Sequence, residues 1–275
     1  MPELAEVEFY RKRWSAGLGR RVRSVRLHPR ARVFRGCPVR ELARGLTGSI
    51  PRSSAAAGKQ LLFRFTGGCW LGIHLGISGE LIRAAAGYVP RKHDHLVLAQ
   101  RDQCLVFTDP RMFGRIEFAV GAAPPDWWSQ IAPPILSPAF TVDAVASFLR
   151  RRARTPVKAV LLMQERFPGI GNWMADEILW RAAIHPRRAA GALTPAENRA
   201  VWRESRRVCR LALRVIAGSG DDVPPALNSR IPDSWLFNHR WKDGGRCPRT
   251  GSRLVRERIG GRTTCWSPGR QSLPA

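Results

Sequence analysis

Apolar positions along this chain fall into two regimes. Between residues 22 and 120 they come in short runs: 22–27, 60–65, 70–75, 95–99, 104–108 and 115–120. Gly, Pro and Asp punctuate these runs, as turns between strands require. Several short strands at such spacing predict a sandwich or barrel. A helix precedes them over 6–14, with acids first and Arg11, Lys12 and Arg13 last, the order the helix dipole favours. Beyond residue 138 the pattern turns helical, over 142–152, 156–165, 173–183 and 195–216. The stretch 122–138, rich in Pro and Trp, reads as a linker. A polar, Pro-containing stretch at 218–233 leads to a tail whose two strand-like pieces flank Gly260 and Gly261, which predicts a hairpin. The fold class predicted is α+β and multidomain. Its parts are a sheet domain over 1–121, a linker over 122–138, a helical domain over 139–232 and a hairpin tail over 233–275.

Charge changes the picture most. Lys and Arg number 46 against 21 Asp and Glu, a formal net charge of +25 over 275 residues. Such an excess points to a polyanion, nucleic acid first. Only five basic residues are Lys (Lys12, Lys59, Lys92, Lys158, Lys242). A compositional bias explains Arg over Lys but not basic over acidic. No run of about 20 apolar residues is present, so no transmembrane helix is expected. Membrane attachment by the basic surface is the lesser alternative, because no basic amphipathic helix dominates. The six cysteines are scattered and predict no disulfide framework, so a reducing cytoplasm is the expected compartment.

Candidate chemistry begins at the terminus. Pro2 follows the initiator Met, and removal of Met1 would leave Pro2 a free secondary amine. An α-amino group has a pKa of about 8, so near neutrality a useful fraction is nucleophilic. Amines attack electrophilic sugar carbons and form Schiff bases, and the adjacent Glu3 could shuttle protons. The bland alternative is that Pro2, Glu3, Glu6 and Glu8 merely start a helix. Lys59 precedes a strand in a Lys-poor chain and, unlike Arg, can give up a proton; a solvated strand-end charge is the alternative. Residues 74–79, His-Leu-Gly-Ile-Ser-Gly, and 109–114, Asp-Pro-Arg-Met-Phe-Gly, are loops that offer an apolar wedge and a cation to an opened base stack. Gly169-Ile170-Gly171-Asn172 lies between helical segments, where a backbone can approach a phosphate. Each of these, alone, also describes an ordinary turn.

Together and in order they resemble a known family. P-E-L-A-E-V-E, G-K-Q-L-L-F, H-L-G-I-S-G-E-L, K-H-D-H, D-P-R-M-F-G, G-I-G-N-W-M-A-D-E-I-L-W-R-A-A-I-H-P and G-G-R-T-T-C-W-S-P-G-R-Q run from Pro2 to about Gln271. The chain resembles the formamidopyrimidine-DNA glycosylase / endonuclease VIII family of bifunctional DNA glycosylases. The resemblance implies a catalytic N-terminal β-sandwich with a short N-terminal helix, and a helical helix–two-turns–helix domain with a β-hairpin finger. DNA would lie in the cleft between them. Pro2 would be the Schiff-base nucleophile, Glu3 its acid/base partner and Glu6 a support. Lys59 would serve β-elimination and Arg262, in the finger, δ-elimination. His93, Arg111 and Asn172 would contact DNA, and Ile77, Arg111 and Phe113 would fill the gap left by a flipped nucleotide. The implied activity is a DNA-(apurinic or apyrimidinic site) lyase joined to a glycosylase for oxidised bases in base-excision repair. The partner is double-stranded DNA carrying oxidised bases or abasic sites, bound by a monomer in the cytoplasm at the nucleoid.

Departures qualify the resemblance. Ala5 stands where the family usually has Pro, and Ile77 where it usually has Met. Arg111 and Phe113 match the oxidised-purine branch, whereas 218–233 does not match the lesion-capping loop of the 8-oxoguanine enzymes. An oxidised-pyrimidine enzyme of the endonuclease VIII type is the alternative. A non-catalytic binder of damaged DNA would have no need of Pro2, Glu3 and Lys59 together, and a general basic binder would need none of the ordered loops. The family finger usually holds zinc on two C-x-x-C pairs, a closed tetrahedral site. Here the four positions fall on Cys247, Thr250, Ser267 and Arg270, and Cys265 lies two residues too early. A site completed by His239 is the alternative rejected. The expectation is a zincless finger, no metal and no cofactor, with Leu254, Ile259 and Trp266 as the hairpin core.

Overall fold

The computed structural model describes residues 1–28, 30–220 and 222–273. Residue 221 of the expected 218–233 stretch, and the last two residues of the tail, lie outside them. The chain forms two compact units, one of residues 1–131 with 220–223, the other of 132–219 with 224–275.

The first unit begins with α1 (Leu4–Ser15), two residues earlier than the apolar pattern predicts. Glu3 and Glu6 account for the early start. The Glu3 amide N–H donates to Glu6 Oε2 at 2.7 Å, half of a capping box over the first turn. Lys12 and Arg13 close the last turn. The helix buries Ala5, Val7, Phe9, Tyr10 and Trp14. Trp14 packs its ring 5.2 Å from that of Phe63 and donates from Nε1 to the Ile82 carbonyl at 3.2 Å.

Then follow β1 (Ser24–Leu27), α2 (Val39–Leu46), β2 (Pro51–Ala57), β3 (Gln60–Phe65), β4 (Cys69–His74), β5 (Glu80–Ala85), β6 (Asp94–Ala99), β7 (Gln103–Thr108) and β8 (Arg115–Val120). They make two four-stranded antiparallel sheets, in the orders β1-β6-β7-β5 and β2-β3-β4-β8. This is the expected β-sandwich. The pattern missed β2 and β5, and both are edge strands. β2 is Pro, Arg, Ser and Ala, and its pairing with β3 rather than any apolar alternation makes it a strand. It also missed α2, whose buried contribution is Leu42 and Leu46 alone. The expected linker is not bare: α3 (Asp126–Ser129) stands in it, with the Trp127 ring against Gly72 of β4.

The second unit holds α4 (Val142–Arg150), α5 (Val157–Val160), α6 (Asn172–Ala182) and α7 (Pro195–Ala212), which runs on into a wider π-turn at Leu213–Ala217. Thr194 caps α7 through a capping box with Glu197. The helix expected over 156–165 shrinks to α5, because successive turns carry the chain past Pro168 and Gly169 into the start of α6. Phe140, Phe148 and Phe167 pack edge to face, with centroids 5.8 and 6.1 Å apart. The tail forms the hairpin β9 (Val255–Ile259) and β10 (Arg262–Trp266). Gly260 and Gly261 both have positive φ, as the two-residue turn between right-twisted strands demands. Among the described residues no helix is long and apolar enough to cross a membrane.

Candidate active site

The terminus places Pro2, half-buried, ahead of two buried carboxylates, Glu3 and Glu6. Glu6 holds the Glu3 amide, which fixes the backbone next to Pro2. Tyr10 lies one turn further on. Burial, with Glu80 and Glu6 beside it, pushes its phenol well above the ordinary range, so it stays neutral. Lys59 occupies the Gly58-Lys59 turn of the β2–β3 hairpin, between the paired Ala57 and Gln60. The register sets Gln60 opposite His74, and His74 feels the Lys59 charge. Burial first, then Lys59, Arg35 and Arg115, lower the His74 pKa and keep it neutral. Sequence reasoning did not single out His74. Its signal was the first position of the H-L-G-I-S-G run.

The two loops expected to enter DNA meet at one buried carboxylate. Asp109 is fully buried. Its Oδ1 accepts from Ser78 Oγ at 2.6 Å, and its Oδ2 from the Gly114 amide at 2.7 Å. The Arg111 amide reaches both Oδ1 and Ser78 Oγ at 3.3 Å. The Asp109 amide donates to the His93 carbonyl at 3.0 Å, and its own carbonyl bonds His95 Nε2 at 2.9 Å. Asp109 therefore ties the Ile77 loop, the 109–114 loop and the His93 backbone into one knot. Gly76 has positive φ, and a side chain there would strike the backbone of Phe113 and Gly114. The result is a tight pair of loops that leaves Phe113 47% exposed, with the Arg111 guanidinium 5.1 Å over its ring and Ile77 half-buried. Met112 adopts positive φ at the tip, which turns Arg111 and Phe113 outward.

In the second unit, Asn172 is the first residue of α6. Its Nδ2 donates to the Thr263 carbonyl at 2.7 Å, one residue from Arg262 at the exposed tip of the hairpin. The side-chain amide thus joins the G-I-G-N turn to the finger. A second buried carboxylate, Asp176, completes the link. Its Oδ1 pairs with the fully buried Lys158 at 2.5 Å, and its Oδ2 accepts from Arg240 at 2.6 Å and the Cys265 amide at 2.9 Å. Lys158 also donates to the Asn172 carbonyl at 2.6 Å. A buried Lys needs such a partner. Sequence reasoning noted Lys158 only for its rarity and missed Asp176.

The hairpin core differs in part from expectation. Leu254 and Ile259 are buried as expected. Trp266 instead lies at the margin, its ring 4.2 Å from His185 and its Nε1 donating to Glu257 at 2.8 Å. Trp180, Leu236, Cys247 and Cys265 pack with Leu254. Trp180 Nε1 donates to Cys247 Sγ at 3.3 Å. Burial pushes this thiol up, but donors from Ser267, Thr250, Trp180 and the Arg249 backbone outweigh it and hold the pKa at about 6. At Cys265 burial, and then the Asp176 charge, raise the thiol pKa to about 12. Among the described residues no cluster of three His, Cys, Asp or Glu could hold a metal ion. His239 bonds the Asp233 carbonyl instead.

An N-terminal β-sandwich and a basic helical unit with a terminal hairpin define a sandwich and helix–two-turns–helix protein. Residues 1–116 match the formamidopyrimidine-DNA glycosylase N-terminal domain, and residues 131–222 match the formamidopyrimidine-DNA glycosylase H2TH domain. A formamidopyrimidine-DNA glycosylase of Roseiflexus sp. is 38% identical, over 76% of this chain and 77% of its own. That of Alkalilimnicola ehrlichii is 34% identical, over 98% of this chain and 100% of its own. A Lactococcus lactis Fpg mutant, solved with Fapy-dG-containing DNA, superposes with a TM-score of 0.86 at 26% identity, over 99% of this chain and 100% of its own. The chain belongs to the formamidopyrimidine-DNA glycosylase family.

Proposed function

We propose that the protein is a base-excision DNA glycosylase with AP lyase activity, acting on oxidised bases in duplex DNA, oxidised purines first. The names of its relatives and the Fapy-dG DNA in its structural neighbour support this reading. The observation that carries it is the terminus: Pro2 directly ahead of the buried pair Glu3 and Glu6.

In the Met1-Pro2 bond the Pro2 nitrogen is a tertiary amide and no nucleophile. Removal of Met1 turns it into a secondary amine, partly unprotonated near neutral pH. That amine attacks C1′ of the damaged nucleotide and the base departs with the electrons of the C1′–N bond. The C1′–O4′ bond then breaks, O4′ keeping its electron pair and taking a proton, and an iminium remains on Pro2. Glu3 moves the protons that the steps require. Lys59, in its two-residue turn beside neutral His74, serves β-elimination. Arg262, at the hairpin tip, holds a flanking phosphate for δ-elimination. Ile77, Arg111 and Phe113 fill the space of the flipped nucleotide, with His93 and Asn172 contributing DNA contacts.

The finger residues do not fit zinc. Cys247, Thr250, Ser267 and Arg270, laid on the family's four cysteines, offer one thiol, two hydroxyls and a guanidinium, not a closed thiolate site. Arg270 instead donates to the Trp180 carbonyl at 2.7 Å and the Arg181 carbonyl at 3.0 Å. Ser267 bonds Ser252 at 3.1 Å, and Ser252 bonds Thr250 at 2.8 Å. We read the finger as closed by these bonds, with no metal and no cofactor in the reaction.

Borohydride trapping on duplexes that each carry one defined lesion tests the function. The expected result is a covalent adduct and strand nicking, strongest with an oxidised purine. An adduct formed best on an oxidised pyrimidine would move the protein to the endonuclease VIII type of activity. Absence of any adduct on every duplex, the abasic one included, would leave only a binder.

A further inference from the structure

Helix α7 carries a charge pattern that the catalytic reading does not use. Arg199, Arg203, Arg206, Arg207, Arg210 and Arg214 recur at three- to four-residue steps, the spacing that aligns side chains along one helix face. Arg206 is half-buried and the other five are exposed, while Val201, Val208 and Ala212 face the core. Acids are scarce here. Glu197 is bonded to Arg188, and Glu204 pairs with Arg203. Arg199, Arg207, Arg210 and Arg214 form no ion pair among the described residues.

The stripe borders a groove of about 440 Å³, lined by Trp202, Arg203, Arg206, Arg207, Arg210 and Leu211. The groove has a fixed floor. Trp202 Nε1 donates to the Phe140 carbonyl at 2.7 Å. Arg206 donates to the carbonyls of Ile135 and Ser137, both at 2.9 Å, and of Leu136 at 3.2 Å, and lies 5.6 Å over the Trp202 ring. Carbonyls orient this guanidinium without neutralising it. Arg207 also adds to a second crowd of cations. Arg249, Arg270 and Arg181 all stack on Trp180, and Arg249 is destabilised by burial and then by Arg270, Arg181 and Arg207. Like charges held this close raise the free energy of the folded unit, and a bound polyanion would lower it.

We propose that this face of α7 is a second DNA-binding surface, which takes the phosphate backbone of duplex DNA away from the lesion. The proposal rests on the DNA glycosylase reading. The fifteen residue-to-residue steps from Arg199 to Arg214 span about 22 Å, along which a duplex presents one phosphate charge every ~1.7 Å. Several phosphates therefore match the stripe. Single strands are gripped by exposed aromatic platforms, and Trp202, half-buried under Arg206, is not one. The surface reads charge and shape rather than sequence, and suits retention on undamaged DNA during the search for a lesion.

Affinity for a long undamaged duplex, measured against salt, tests this with Arg203→Ser, Arg207→Ser, Arg210→Ser and Arg214→Ser combined. Each phosphate that the protein no longer neutralises lowers the slope of log K against log salt by about 0.9, so the slope should fall by roughly 2 to 4. Excision from a duplex too short to extend beyond the lesion site should not change. The matching Arg→Lys set should keep the slope. If the serine set fails to fold, Arg207→Ser and Arg210→Ser singly should each lower the slope by about 0.9. A slope equal to that of the unsubstituted protein, in the combined or the single variants, overturns the proposal. Failure of the unsubstituted protein to excise any lesion would bring down the glycosylase reading instead, and that result is read separately from the slope.

Discussion

Asp109 illustrates what one buried carboxylate does for a pair of exposed loops. Its two oxygens satisfy Ser78, the Gly114 amide and the Arg111 amide, so the backbone that aims Arg111 is fixed from below. Asp109→Ala leaves the buried Gly114 amide without an acceptor, a cost of about 1–3 kcal/mol. Denaturant unfolding should register that loss, and the discrimination between bases opposite the lesion should weaken with it. Unfolding at the unsubstituted midpoint would show that the knot is not stabilising. Arg111→Ala makes the complementary case. An Arg-to-base contact is worth roughly 1–3 kcal/mol of discrimination. Opposite-base preference should therefore relax more than binding to an abasic duplex weakens. Paired excision and binding assays check it, and an unchanged preference would remove Arg111 from that role. The sequence showed Asp109, Arg111 and Phe113 as one motif. It could not show which is buried, because a turn residue and a buried anchor are both simply Asp in a sequence.

At the scale of elements, the finger shows how a hairpin stays closed without four thiolates. Asp176, Cys247, Ser267, Arg270 and the Asn172 amide all bind across to it or within it. Cys247 gives this arrangement a pH signature. Its thiol pKa is held at about 6 against 9.0 unfolded. The unfolded state therefore binds more protons between these values, and stability rises with pH across that window. The contribution is complete above about 9 and lost as pH falls through about 6. Thermal melts across that window should show the rise, and Cys247→Ser should flatten it. Equal slopes would deny the thiolate its place in the finger. Metal analysis of the purified protein should find no zinc, and chelation should leave activity intact. One zinc per chain, with activity lost on chelation, would contradict the zincless finger. Arg262→Ala should strongly reduce strand cleavage, because an unclamped phosphate misplaces the sugar. Cleavage at the unsubstituted rate would exclude the hairpin tip from the reaction. The hairpin was legible from Gly260-Gly261 and its flanking strands. Edge strand β2 and helix α2 were not, since pairing and packing, not apolar periodicity, make them.

For the whole molecule, the two-regime pattern of apolar residues already separated a sandwich from a helical unit. The ordered motifs supplied the candidate site residue by residue. Three-dimensional neighbours stayed hidden: His74 beside Lys59, Asp176 under Lys158, and the arginines of α7 aligned on one face. The excess charge of +25 predicted a polyanion but not where it binds. The central claim concerns the first two residues. Borohydride reduction on a duplex with an oxidised purine, followed by mass mapping of the cross-linked peptide, tests it most directly. The account predicts that the trapped protein lacks Met1, that the adduct lies on Pro2, and that an added N-terminal residue abolishes it. Trapping at Lys59, or full activity from protein shown to retain Met1, would contradict it.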